Sequence, residues 1–218
     1  MKKLLIIILF TASLSAFGQN HYLGLQGGIN MTNLPAKKSF PDAEMRIGFI
    51  GGFNYEYKTS KNYRLGIDIL YSQQGFIHNL RVYDDGRGET GISEYKFDFF
   101  TIPIKIGYEL GNKIKVIPKL GIVPSFLLKG EIILPEFDNE GNVISYETIN
   151  YEDFVNNFDF GGCFELGFEG KLSENIKISP SLSFKHSIME FFKSDSFDRI
   201  DMIHKGFSIS MGFKYFFK

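Results

Sequence analysis

A two-residue hydrophobic rhythm, interrupted by connections that are alternately long and short, constrains this chain more than any other feature. Ile47, Phe49, Phe53, Tyr55 and Tyr57 fall on one face of a run, with Arg46, Gly48, Gly52, Asn54, Glu56 and Lys58 on the other. Leu65, Ile67, Ile69 and Tyr71 repeat the pattern against Arg64, Gly66, Asp68 and Ser72. Phe158, Phe160, Phe164, Leu166 and Phe168 do so against Asp159, Gly161, Cys163, Glu165 and Glu169, and Phe207 to Phe217 against Gly206 to Lys214. Successive side chains of a strand leave opposite faces, so this is the signature of a sheet with one apolar face. It predicts strands at 22–30, 45–58, 63–76, 94–109, 113–129, 155–169, 175–188 and 204–217.

The connections at 59–62, 111–112 and 171–174 are short and carry Gly, Asn or Ser, as hairpin turns require. Between them lie the longer segments 31–44, 77–93, 130–154 and 189–203. In an eight-stranded antiparallel up-and-down barrel, this alternation places every short turn and both termini at one end. Outer-membrane barrels have that asymmetry, although soluble lipocalin-like barrels also alternate.

Glycine separates the two cases. Gly24, Gly28, Gly48, Gly52, Gly66, Gly107, Gly121, Gly161, Gly167, Gly206 and Gly212 all share the polar face. A solvated surface has no use for them, whereas a narrow lumen holding Arg and Lys stems needs a gap opposite each. Tyr57, Tyr63, Tyr108, Phe168 and Tyr215 belong to the apolar set at similar depth, as an interfacial aromatic girdle would. The apolar face is therefore expected to meet lipid, making a transmembrane β-barrel. Arg46, Glu56, Arg64, Asp68, Lys105, Glu109, Lys115, Lys119, Asp159, Glu165, Lys177 and Lys185 are then expected to form an interior charge network. Eight strands leave an interior just wide enough for side chains, so these charges should pair and plug it.

Residues 1–18 read as a signal peptide, with Lys2 and Lys3, an apolar run from Leu4 to Phe10 and a small-residue site at Ala16-Phe17-Gly18. The barrel domain is then 19–218, exported to the outer membrane of a Gram-negative cell. A formal charge of −1 gives no argument for nucleic acid. The single Cys163 excludes an internal disulfide or a cysteine metal cluster, and no metal or cofactor is expected. Pro103, Pro118, Pro124 and Pro180 sit awkwardly within predicted strands, and the apolar parity slips near Phe99-Phe100, where a bulge is expected.

No set of residues reads as catalytic. His186-Ser187 is the one adjacent His/Ser pair, and strand neighbours point to opposite faces. His21, His78 and His204 are scattered. The segment 130–154 carries Glu131, Glu136, Asp138, Glu140, Glu147, Glu152 and Asp153 with no Lys or Arg, and its DNEGN tip reads as a hairpin turn. Asp138-Asn139-Glu140 alone is too few oxygens for calcium.

HYLGLQGGINMTNL, TIPIKIGYEL and KVIPKLGIVPSFLLKGE together resemble the PorT-like outer-membrane β-barrel family. MGFKYFFK resembles the terminal strand that outer-membrane assembly machinery recognises, though Lys218 follows the last aromatic. The resemblance implies a small barrel, and its name-giving member is implicated in protein secretion. The expected protein is a monomer with a structural or interaction role, its outer loops meeting lipopolysaccharide, other outer-membrane lipid or a protein partner. A secretion accessory, a soluble ligand-binding barrel and a lipid-modifying enzyme are the alternatives.

Overall fold

A computed structural model describes residues 20–33, 43–84, 87–138, 140–192 and 203–217. The signal peptide expected at 1–18 lies outside them. The strands are β1 (His21–Asn33), β2 (Ala43–Lys58), β3 (Tyr63–Asp84), β4 (Arg87–Thr101), β5 (Ile104–Tyr108), β6 (Lys115–Phe137), β7 (Val143–Asn150), β8 (Phe158–Lys171), β9 (Ile176–Ser187) and β10 (Lys205–Phe217). All pairings are antiparallel. β4 and β5 are two pieces of one stave, interrupted at Ile102-Pro103, and both lie between β3 and β6. β7 pairs only with β6 and folds back as its hairpin partner beyond the ring. The ring thus has eight staves, as the rhythm predicts.

Closure is made by the first and last strands. β1 pairs with β10 from His21↔Phe217 to Asn33↔Lys205, along its entire length, and with β2 on its other side. Apolar positions face out and remain exposed: Ile47 66%, Phe53 60%, Leu120 62% and Phe213 51%. On the inner face Arg64 is 0% exposed, Glu56 2%, Asp68 2% and Lys119 4%. A soluble ligand-binding barrel would have the opposite distribution. Phe164 is exposed and Phe160 and Phe168 are half-exposed, whereas their neighbours Asp159, Glu165 and Glu169 are buried.

The prolines fall where a rung is already missing. Hydrogen bonding from Ile188 N–H to Phe160 C=O sets the alternation on the β8–β9 seam, and places the Pro180 nitrogen toward β8. There the ladder lapses, between Gly167↔Ser181 and Gly170↔Ile178. Pro118 faces the β5 seam just past its last pair, Gly107↔Lys119. Pro124 lies opposite the Ile102-Pro103 break, where its carbonyl accepts from Ile102 N–H at 2.9 Å. Each proline costs one rung on one side and leaves the other seam continuous.

The expected parity slip near Phe99 is absent. Phe97, Phe99, Thr101, Lys105 and Glu109 all lie inside, so odd positions face the lumen throughout. The lumen itself changes character, from charged to aromatic. A register shift does occur at Asp98/Phe99, with the extra residue, Leu128, on the facing strand β6.

The glycines supply the space the lysines occupy. Lys119 lies opposite Gly107, Lys105 opposite Gly121 and Lys214 opposite Gly24. A Cβ on Gly107 would come 2.5 Å from Lys119 Cγ, and one on Gly121 2.9 Å from Lys105 Cγ. Gly107→Val should therefore lower folding stability by about 1–3 kcal/mol through overpacking. Urea unfolding in detergent micelles, followed by far-ultraviolet circular dichroism, should show a lower midpoint; an unchanged midpoint would mean the stems have room to spare.

Candidate functional site

The lumen is the most densely functionalised region of the described chain. Its charged residues come from inward positions on β2, β3, β5, β6, β8, β9 and β10, so ring closure alone brings them together.

Arg64 is the hub at the end carrying the short turns. Its guanidinium donates to Glu109 at 2.5 Å and Glu169 at 3.1 Å, and reaches Glu56 at 3.5 Å. The Tyr22 ring lies 4.0 Å from Arg64 Cζ and 4.3 Å from Lys177 Nζ, giving both cations an aromatic face. Lys177 donates to Glu169 at 2.6 Å, while Lys58 and Lys115 both donate to Glu109. Glu56 also accepts from Lys119 and from Lys214. Lys119 reaches on to Glu165 at 2.8 Å, and Lys105 joins Glu165 at 2.6 Å to Asp68 at 2.5 Å. The result is one alternating path, Lys177–Glu169–Arg64–Glu56–Lys119–Glu165–Lys105–Asp68, crossing the lumen without an unpaired ion along it.

A second tier lies further out. Lys185 donates to Asp159 at 2.8 Å and to Ser125 at 3.0 Å, and Ser187 donates to Asp159. Arg46 pairs with Glu94 at 2.8 Å nearer the outer mouth. Every residue of the expected network is thus ion-paired in this structure. The sequence reading left out Glu169, Lys214, Lys58 and Glu94. Glu169, Lys214 and Lys58 fall on the polar face by the same rhythm but were not carried into the expected network.

Between the tiers is a cavity of about 60 Å³, whose lining residues include Asn30, Ser72, Thr101, Lys105, Lys185 and His204. That is room for a few waters. Phe76, Phe97, Phe99, Val155, Phe191 and Phe192 form a buried apolar cap over it. His204, just before β10 at the outer mouth, packs at a tilt of 43° against Phe191 with ring centroids 4.2 Å apart. Neither of its ring nitrogens has a hydrogen-bond partner among the described residues. Nothing in the residue order points to this cap, because Phe in a strand reads as lipid-facing.

The expected girdle residues lie on the outward face near the short-turn end. Tyr63, Tyr108 and Tyr215 are exposed, and Tyr57 and Phe168 are half-exposed. Tyr63 meets Tyr108 edge-on at 5.3 Å, and His21 shares a 2.6 Å hydrogen bond with the Tyr55 hydroxyl. His186 is exposed and Ser187 buried, so the one adjacent His/Ser pair does not converge. In the hairpin tip, Asp138 accepts from the N–H groups of Glu140 and Asn142 at 2.9 and 2.8 Å, which lowers its pKa, and Gly141 takes a left-handed φ of 87°. Among the described residues, no group of three or more His, Cys, Asp or Glu side chains is placed to hold a metal.

The outer membrane protein beta-barrel domain family matches residues 17–193. No curated protein matches. Among solved structures, the chain is similar to Ail, the attachment invasion locus protein of Yersinia pestis, at 9% identity and TM-score 0.42, covering 90% of this chain and 100% of that one. It is similar to OprG of Pseudomonas aeruginosa at 9% identity and TM-score 0.49, covering 91% and 96%. Neisserial surface protein A gives 11% identity and TM-score 0.45, covering 89% and 97%. The chain belongs to the outer membrane protein beta-barrel domain family and is a protein of the outer membrane.

Arg64 holds three carboxylates, all nearly inaccessible. Arg64→Leu should destabilise the barrel by about 1.5–3 kcal/mol, because the three carboxylates lose its charge-assisted hydrogen bonds while each keeps a lysine partner. Its urea midpoint in micelles should fall accordingly; a midpoint within error of wild type would show the hub to be dispensable.

Proposed function

We propose that this member of the outer membrane protein beta-barrel domain family is a non-conducting, non-enzymatic barrel that carries interaction hairpins at the cell surface. The observation that supports it best is the unbroken chain of ion pairs across the lumen. An ion entering would have to break a pair whose partner would be left buried and unmatched.

The long connections carry the outward-facing function in this reading. β3 and β4 remain paired out to Asp84↔Arg87, and β6 and β7 form a hairpin beyond the ring. These hairpins would meet lipopolysaccharide or a protein partner. The PorT resemblance offers a narrower form of the same idea, in which the partner is an exported protein and the barrel an accessory to its secretion. Residues 1–18 would be the export signal, the girdle would set the barrel's depth in the bilayer, and the barrel would act as a monomer. With His186 and Ser187 on opposite faces, the lipid-modifying reading loses its best residues.

Purified protein in planar bilayers should give no discrete conductance steps under voltage. An epitope inserted after Gly141 should be reached by antibody on intact cells. Steady single-channel openings would contradict the plugged interior, and an epitope reached only after lysis would contradict the outward placement of the hairpins.

A further inference from the structure

One edge of β7 has no strand partner among the described residues. β7 pairs only with β6, and all eight of its residues are exposed. The direction of its free groups follows from the ladder. Tyr151 N–H donates to Gly130 C=O at 2.9 Å, directly opposite in the register that continues Glu131↔Asn150. Alternate residues therefore bond to β6, and those between them, Tyr146, Thr148 and Asn150, turn their backbone N–H and C=O away. No backbone hydrogen bond from another described element reaches Tyr146 or Thr148.

Exposed edges are usually blunted by Lys, Pro or a bulge. The β7 segment VISYETIN contains neither Lys nor Pro, and its one irregularity is at the tip, where Ile144 is the extra residue against Glu136 and Phe137 of β6, clear of Tyr146, Thr148 and Asn150. Ile144 is 64% exposed and Tyr146 58%, so the edge is also apolar. Its one charge is Glu147, and the hairpin adds Asp138 and Glu140 at the tip and Glu152 at the base.

We infer that the β7 edge is a strand-addition site for an extended, basic polypeptide segment of another protein. Main-chain hydrogen bonds to Tyr146, Thr148 and Asn150 would supply the affinity, and the acidic hairpin the preference for Lys or Arg. The edge is about 26 Å long for eight residues at the usual rise. Pairing with a second copy is disfavoured, because two antiparallel β7 edges would set Glu147 near its own counterpart. This inference rests on the reading of the hairpins as interaction elements and names their partner's chemistry.

The test uses the full mature protein in detergent micelles and three fluorescent octapeptides. One alternates lysine with threonine or valine, the second replaces lysine by glutamate, and the third is the basic peptide N-methylated at alternate backbone nitrogens. Anisotropy should show saturable binding of the basic peptide, and none of the acidic one. Affinity should fall about five- to tenfold for the N-methylated peptide and for the Thr148→Pro protein, each lacking main-chain donors. Thr148→Pro should keep its heat-dependent gel shift, since that N–H faces away from β6. Equal binding of basic and N-methylated peptides would overturn the inference, leaving charge attraction alone. Self-association in place of peptide binding, or no binding at all, would overturn it as well. In those cases absent bilayer conductance would still leave the non-conducting reading standing.

Discussion

A strand in hydrocarbon has nowhere to send its backbone N–H and C=O groups except to another strand. An unpaired group there costs several kcal/mol, so the sheet must close on itself. Here the obligation is met by the seam between β1 and β10, which runs the whole length of both from His21↔Phe217 to Asn33↔Lys205. The irregularities are all subordinate to that closure. Pro118, Pro124 and Pro180 interrupt one ladder each, and β7 can leave an edge open because it lies beyond the ring.

Closure with eight staves fixes the interior. A lumen so narrow must be filled, and an alternating strand with lipid outside fills it with polar side chains. The long cations fit because glycine lies across from them, as in Lys119 opposite Gly107 and Lys105 opposite Gly121. Every carboxylate on the central path has a cation within salt-bridge distance. Filling of the lumen is thus a consequence of packing and desolvation together. In the proposed reading it leaves the hairpins as the region free to interact.

Much of this was legible from residue order, because the strand period is two and lipid outside enforces it strictly. The network residues, from Arg46 to Lys185, could be read from parity alone. Glu169 and Lys214 lay on the polar face by the same parity, and only their place in the network went unread. The aromatic cap was harder. Phe97 and Phe99 are apolar, so period-two reasoning assigns them to lipid, yet they lie on the lumen side with Thr101 and Lys105. Their true partners, Phe191 and Phe192, come from a connection with no strand rhythm. Apolar character reports burial in something other than water, not which side of the wall. The prolines were opaque for a related reason: whether a missing N–H matters depends on the neighbouring strand.

The barrel faces lipid with its apolar side and closes without an edge in the membrane. Gel mobility of detergent-extracted membranes, with and without boiling, tests that most directly. A closed barrel resists SDS until heated, so the protein should appear in the outer-membrane fraction with a heat-dependent shift. Recovery in the soluble periplasmic fraction with no shift would contradict it.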